Sequence, residues 1–404
     1  MARVNPAILT WARETARMPL EQAAIAIDLE DAHGKKAAAR LRAMEKGEEE
    51  PSRPLLLRMV KKYRRPLIVF YLDNPPRQGN RGRDFRGMPE SVPPEYDTTL
   101  DALIRDINAR QGVVKSLLEE EEALPLPFIG SANMDLDRGI EPVAAEITRT
   151  IGFALPEYRS RNSIDEAFKY LRTKLEQAGI FVVLMGNLGS HHTNIPAEVF
   201  RGFSLADPIA PFIVINNQDA RSAWPFTALH EAAHLWLGAT GISGPPSSAL
   251  GIERFCNEVA SRILLPTTEI QALSDITAST FDGAATRISA FSEERKISRA
   301  MVSYRLFRAN IITKPEWSKL EEYFHEQWIA EEKRKKKARH DGNNKGGANY
   351  YVVRRHGLGP ALLNLVARSL DEGVLTYTKA GHVLGEKPRN VEPLLSGISN
   401  RGGL

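Results

Sequence analysis

Apolar residues recur at helical spacing along most of this chain and at strand spacing only near its middle. From Ala7 to about Tyr71 the pattern is helical, with Ile8, Trp11, Ala12 and Ala16 on one face. Pro19 stands where a first helical turn tolerates proline. Gly47 can stop one helix and Ser52 can cap the next, which carries Leu55, Leu56, Met59, Val60 and Tyr63. Several short helices around a small apolar core fit a helix-turn-helix bundle, and equally a helical docking domain. Thr99–Ala123 reads as helix and ends in an acidic, solvated run. Ile164–Ala178 is amphipathic, with Ile164, Ala167, Phe168, Leu171 and Leu175 at core spacing. Two strands follow, "GIFVVLMG" (Gly179–Gly186) and "PFIVIN" (Pro211–Asn216). "FRGFSLAD" (Phe200–Asp207) between them is a candidate third. Helical pattern then dominates to Asp341, and a last small helical unit begins at Tyr350.

Composition narrows this picture modestly. The 404 residues are too many for one core. A net charge of +4 does not by itself argue for nucleic acid. Cys256 is the one cysteine, so no intramolecular disulfide can form and a metal site must rest mainly on His and carboxylate. The charged N-terminal stretch lacks a signal-peptide apolar core, and the longest apolar run is too short to span a bilayer. The expectation is a soluble cytoplasmic protein with no membrane partner.

The chemistry concentrates in "FTALHEAAHLWLG" (Phe226–Gly238). Residues four apart on a helix nearly eclipse, so His230 and His234 point the same way and can reach one Zn²⁺ at about 2.0–2.1 Å. Glu231 projects from the neighbouring face, where it can take a proton from a zinc-activated water. This is the H-E-x-x-H device. A chance match at this composition is on the order of 1%. Two histidines on an otherwise apolar stripe would be costly to bury without a partner.

A third ligand is needed. The metzincin pattern requires Gly and His where this chain has Leu237 and Thr240, which excludes that class. The amphipathic helix "GIERFCNEVASRILLP" (Gly251–Pro266) supplies a carboxylate instead, and Glu253 is the preferred ligand. Asn257, one turn on, is placed to orient a ligand from behind. Glu258 falls on another face and reads as solvated. Cys256 could ligate but reads better as a small buried hydrophobe.

At this point the chain resembles a known family. "FTALHEAAHLWLG" followed by "IERFCNEVASRILLP", with "GFSLADPIAPFIVIN" ahead of them, is similar to the ImmA/IrrE metallopeptidases. The resemblance implies that His230, His234 and Glu253 bind zinc and that Glu231 is the catalytic base. The stretch from "LTWARETARMPLEQAA" to "LDNPP" resembles the degenerate Xre-like helix-turn-helix found ahead of this peptidase domain. "ISRAMVSYRLFRANII" (Ile297–Ile312) resembles the helical segment that follows the zinc helix. The implied fold class is α+β and mostly helical. It comprises a helix-turn-helix-like domain (1–76), a linker (77–98), a zincin-like peptidase domain with a short mixed sheet (99–329), a flexible linker (330–349) and a small helical C-terminal unit (350–404).

The family's characterised members are intracellular proteases that cut a DNA-binding repressor and so switch on a stress programme. A protein substrate of that kind is therefore implied here. DNA is a possible partner through the N-terminal domain. However, "DLEDAHGKKAAARL" lengthens the region where a recognition helix should begin, which makes docking onto a partner repressor at least as good a reading.

Hydrolysis also needs an oxyanion donor besides the metal. The candidates are His192 (with His191, in a loop after a strand), Tyr304 and Arg305; their bland readings are exposed loop histidine, core tyrosine and surface arginine. The competing functional readings are a transcription regulator, or an antitoxin-like interaction protein, in which the zinc site is structural or vestigial.

Overall fold

The computed structural model describes residues 4–16, 18–32, 34–63, 65, 67–74, 94–132, 139–238, 246–341 and 349–396. The chain divides into two compact units. The first contains α1 (Pro6–Thr15), α2 (Leu20–Ala26), α3 (Ala37–Glu45) and α4 (Arg53–Tyr63), followed by a short 3₁₀ turn over Leu67–Tyr71. Asn5 caps α1 by accepting from the Ala7 amide. Its own side chain donates to Leu72 O and Asp73 O, at 2.8 and 2.9 Å, which ties the start of the unit to its end. Ile8, Leu9, Ala12, Leu41, Met44, Leu56, Met59 and Phe70 form the buried centre.

The connection between α2 and α3 runs from Ile27 to Lys36. That is ten residues, where a helix-turn-helix uses about three to four. The expected lengthening is thus present, and α2 and α3 do not form a tight helix-turn-helix pair.

Most of the expected linker at 77–98 lies outside the described residues. From Pro94 the chain is already helical as α5 (Pro94–Glu120), whose residues to Arg105 group with the first unit and from Asp106 with the second.

The second unit begins with α6 (Ile140–Ile151), α7 (Leu155–Arg159) and α8 (Ile164–Gln177). Ser163 caps α8 through the Glu166 amide. Three strands follow: β1 (Phe181–Leu184), β2 (Gly202–Leu205) and β3 (Phe212–Ile215). Their order is β1-β3-β2, with β1 parallel and β2 antiparallel to β3. All four residues of each strand are buried. The β-branched and aromatic runs "FVVL" and "FIVI" suit a sheet covered on both faces. The candidate third strand is therefore real and lies at one sheet edge.

Next come α9 (Trp224–Trp236), α10 (Pro246–Leu264), α11 (Thr267–Ile270), α12 (Phe281–Glu294), α13 (Arg299–Arg308) and α14 (Lys314–Asp341). The α+β, mostly helical architecture is as expected, with one short mixed sheet. Two differences bear on organisation. Residues 330–341 continue α14 where a flexible linker is expected. Their Glu, Lys, Arg and Ala residues are strong helix formers, and no Gly or Pro interrupts them before 342.

The helices α15 (Tyr350–Leu358), α16 (Pro360–Asp371), α17 (Tyr377–Leu384) and α18 (Pro388–Leu395) belong to the same compact unit as the sheet, where a separate C-terminal unit is expected. Both α15 and α16 pack on β1, and α16 packs on α8. Arg172 of α8 holds them there. It is buried and paired with Glu176 at 3.0 Å, and it donates to the carbonyls of Val182, His356 and Gly357. Among the described residues, no helix is long and apolar enough to cross a membrane.

Candidate metal centre

Helix α9 is seated in the middle of the second unit. Every residue from Trp224 to Trp236 except Phe226 is buried, so the helix packs on all sides. Pro225 starts it. Its last carbonyls are taken up by a neighbouring loop: Gly130 donates to Leu235 O at 3.0 Å and Ala132 to Trp236 O at 2.9 Å. Gly238 ends it in the left-handed region (φ 64°), so close to Gly130 that a Cβ there would stand 3.0 Å from that residue's Cα. Phe128 stacks on Trp236 at 4.3 Å. These contacts fix where α9 stops, and so fix the height of the residues one turn back.

His230, Glu231 and His234 are each fully buried. The two Nε2 atoms lie 2.9 Å apart. Glu253 enters from α10, its side chain 21% exposed. Its Oε2 lies 3.3 Å from His230 Nε2 and its Oε1 3.3 Å from His234 Nε2. On a tetrahedron with ligand bonds of about 2.0–2.1 Å, donor atoms stand about 3.3–3.4 Å apart. Each imidazole nitrogen stands at that spacing from one oxygen of the Glu253 carboxylate, and the two nitrogens are slightly closer to each other. Two imidazoles and a carboxylate are also an ordinary donor set for zinc. Among the described residues, this is the group of His, Cys, Asp and Glu that could hold a metal.

Glu231 lies beside this trio, against strand β2. A Cβ placed on Gly202 would stand 3.0 Å from Glu231 Oε1 and 2.6 Å from Thr227 Cγ2. Glycine at that position lets the sheet edge pass directly along the helix. The approach of β2 to α9 is not legible in the sequence, where a strand-start glycine carries no such label. Asn216, fully buried at the end of β3, keeps the segment before β2 in place: its Nδ2 donates to Ile195 O at 3.0 Å and to Phe200 O at 2.9 Å.

The other candidate residues fall differently. Asn257 is half-buried on α10, one turn beyond Glu253. Glu258 is 2% exposed rather than solvated. It accepts from Tyr304 Oη at 3.1 Å and from Arg308 Nε, and lies 3.6 Å from both Arg305 and Arg262. The α10 face opposite the solvent meets α13 here, and four partners on one carboxylate are what allow its burial.

Arg305 is likewise buried and not a surface residue, and it also donates to Thr267 Oγ1 at 3.0 Å. Burial, then the Glu258 charge, push the Tyr304 hydroxyl well above its usual range, so it stays protonated and donates to Glu258. The structure thus directs Tyr304 and Arg305 to Glu258. His192 is exposed in a 3₁₀ turn, its ring 3.8 Å from that of His191, and is not part of the metal-binding trio.

A pair of histidines one turn apart on a buried helix, joined by a carboxylate from the next helix, defines a metallopeptidase-type site on an α+β scaffold. Residues 176–307, about a third of the chain, match the Peptidase_M78 family model, described as the IrrE N-terminal-like domain. The resemblance seen in the sequence is borne out over that segment. Comparison with curated proteins and with solved structures finds no match.

Proposed function

We propose that the protein is a zinc-dependent endopeptidase. His230, His234 and Glu253 would hold the ion, the two Nε2 atoms 2.9 Å apart and each 3.3 Å from one carboxylate oxygen of Glu253. Bound there, zinc would supply Lewis acidity, lowering the pKa of water towards about 7 and polarising the scissile carbonyl.

Glu231 has the part that remains. Fixed by its helix and by the close passage of Gly202, its carboxylate accepts the proton of the attacking water. Water oxygen bonds to the carbonyl carbon, the C–N bond breaks, and Glu231 returns the proton to the leaving amine. Asn257 is proposed to help orient Glu253. An oxyanion role for Tyr304 or Arg305 would require either to leave Glu258, so neither is assigned one. Among the described residues three side chains, not four, are grouped to hold an ion, which favours a catalytic over a structural site.

The match over 176–307 supports a protein substrate, and the substrate proposed within that class is a repressor-type DNA-binding protein. The single observation carrying the reading is the convergence of His230, His234 and Glu253 from two helices, with the buried Glu231 next to His230 in the chain. The test is incubation of the zinc-loaded chain with helix-turn-helix proteins encoded near its gene, with and without chelator. Glu231→Gln should retain zinc and lose cleavage. Cleavage by that variant at the wild-type rate would overturn the assignment of the base.

A further inference from the structure

The second unit carries a tight helix-turn-helix where none was expected, at its C-terminal end. Helices α17 and α18 are joined by three residues, Gly385, Glu386 and Lys387. This is the turn length of DNA-binding helix-turn-helix motifs. Gly385 ends α17 in the left-handed region (φ 64°).

Gly381, one turn earlier and buried, is where the turn crosses back over the helix. Its carbonyl accepts from the Glu386 amide at 2.7 Å, and a Cβ there would stand 2.7 Å from Glu386 O. Only glycine fits under that crossing. Ala380, Val383 and Leu384 of α17 and Val391 and Leu394 of α18 are buried, and α16 packs on α17 to complete a three-helix arrangement.

The charges around the turn are unequal. Glu386 is neutralised from within: Arg354 Nε donates to it at 2.8 Å, and Tyr350 Oη and Asn390 Nδ2 also donate to it. Arg354 further pins the turn through Leu384 O and Gly385 O. What α17, the turn and α18 leave exposed and charged is Lys379, Lys387 and Arg389 against Glu392, with Tyr377 and His382 between them. The outer face is therefore positive. In a helix-turn-helix, the start of the second helix meets base edges while the start of the first meets phosphates. Arg389 and Lys387 hold the first position here, Lys379 and Tyr377 the second. An α-helix with its side chains is about 10–12 Å across, which the major groove of about 12 Å admits, and α18 is eight residues long.

We propose that α16–α18 form a nucleic-acid-binding helix-turn-helix that seats α18 in the major groove of duplex DNA. The probe is a fluorescent random-sequence duplex of about three helical turns, titrated with the full chain at several salt concentrations. The expected result is salt-dependent binding. In Lys387→Glu/Arg389→Glu it should weaken at least about tenfold, with the log–log salt slope reduced by about two. Lys61→Glu/Lys62→Glu in the first unit, at exposed positions, should bind like wild type.

The lysine and arginine side chains substituted are exposed, and an unchanged melting temperature and metal content will verify that each variant is folded. Absence of duplex binding at low salt would overturn the proposal, as would wild-type affinity in the α18 variant. So would a variant that keeps DNA affinity but loses a protein partner, because the face would then be a protein-docking one. Glu231→Gln should bind DNA unchanged, so failure of the peptidase reading leaves this result readable.

Discussion

Glu253 Oε2 lies 3.3 Å from His230 Nε2, although the two residues come from different helices and are 23 positions apart in the chain. What aligns them is the packing of α10 on α9, through Ile252, Phe255, Cys256 and Val259 on the buried face of α10. Glu253 is therefore predicted to be as necessary for metal as the histidines. Zinc at about 100 times its dissociation constant should stabilise the wild type by about 2.7 kcal/mol, and should leave His230→Ala and Glu253→Ala unmoved. Chemical denaturation with and without zinc measures this. Equal zinc stabilisation of wild type and Glu253→Ala would remove Glu253 from the ligand set.

Gly202 is predicted to control activity without touching metal. The methyl group of Gly202→Ala would meet Thr227 Cγ2 and Glu231 Oε1, forcing β2 and α9 apart or turning the carboxylate. Overpacking of this kind costs about 1–3 kcal/mol. Displacing a catalytic group by a fraction of an ångström to an ångström lowers turnover by up to about a hundredfold. Measured kcat should fall while zinc stoichiometry stays at wild type. An unchanged kcat would mean that the strand does not position Glu231.

Much of this site was legible in the sequence, because the chemistry of H-E-x-x-H depends on spacing along one helix. His230, Glu231 and His234 needed only the 3.6-residue period, and Glu253 needed only an amphipathic helix with one carboxylate at the right distance. What could not be read depends on contacts between segments distant in the chain. Glu258 looks like a surface acid until α13 brings Arg305, Arg308 and Tyr304 onto it. Gly202 looks like a strand boundary until Thr227 and Glu231 appear beside it. Residues 330–341 depart from the expected linker for a different reason. Charge density suggested solvated linker, yet the same Lys, Arg and Glu residues are good helix formers, and α14 continues through them to Asp341.

The Glu258 cluster predicts an asymmetric response to substitution. Glu258→Ala would leave the buried Arg305 without its carboxylate, and breaking a buried pair from one side costs about 3–5 kcal/mol. Arg262→Ala removes a partner that is 3.6 Å away and one quarter exposed, and should cost at most about 1 kcal/mol. Urea denaturation of both variants tests the ranking. If Glu258→Ala proves as mild as Arg262→Ala, the cluster is not what holds α10 to α13.

Arg172 makes the last prediction, which concerns how the C-terminal helices are attached. Its guanidinium is buried and donates to Val182 O on β1 and to His356 O and Gly357 O on α15, while Glu176 supplies the counter-charge. One side chain thus joins the sheet to the C-terminal helices. Arg172→Leu would take the guanidinium from three carbonyls and leave the Glu176 carboxylate with the Ala361 amide but no counter-charge. Each unsatisfied buried group costs about 1–3 kcal/mol, and more where it is charged. The double variant Arg172→Leu/Glu176→Leu removes the stranded charge and should recover part of that loss. Limited proteolysis should cut the single variant first within 350–358, at the turn of α15 nearest β1, before the remainder of the second unit is attacked. If the single variant resists protease there as well as wild type does, other contacts, such as the Arg368–Glu121 pair and the apolar packing, hold the C-terminal helices, and Arg172 is not the residue that joins them to the sheet.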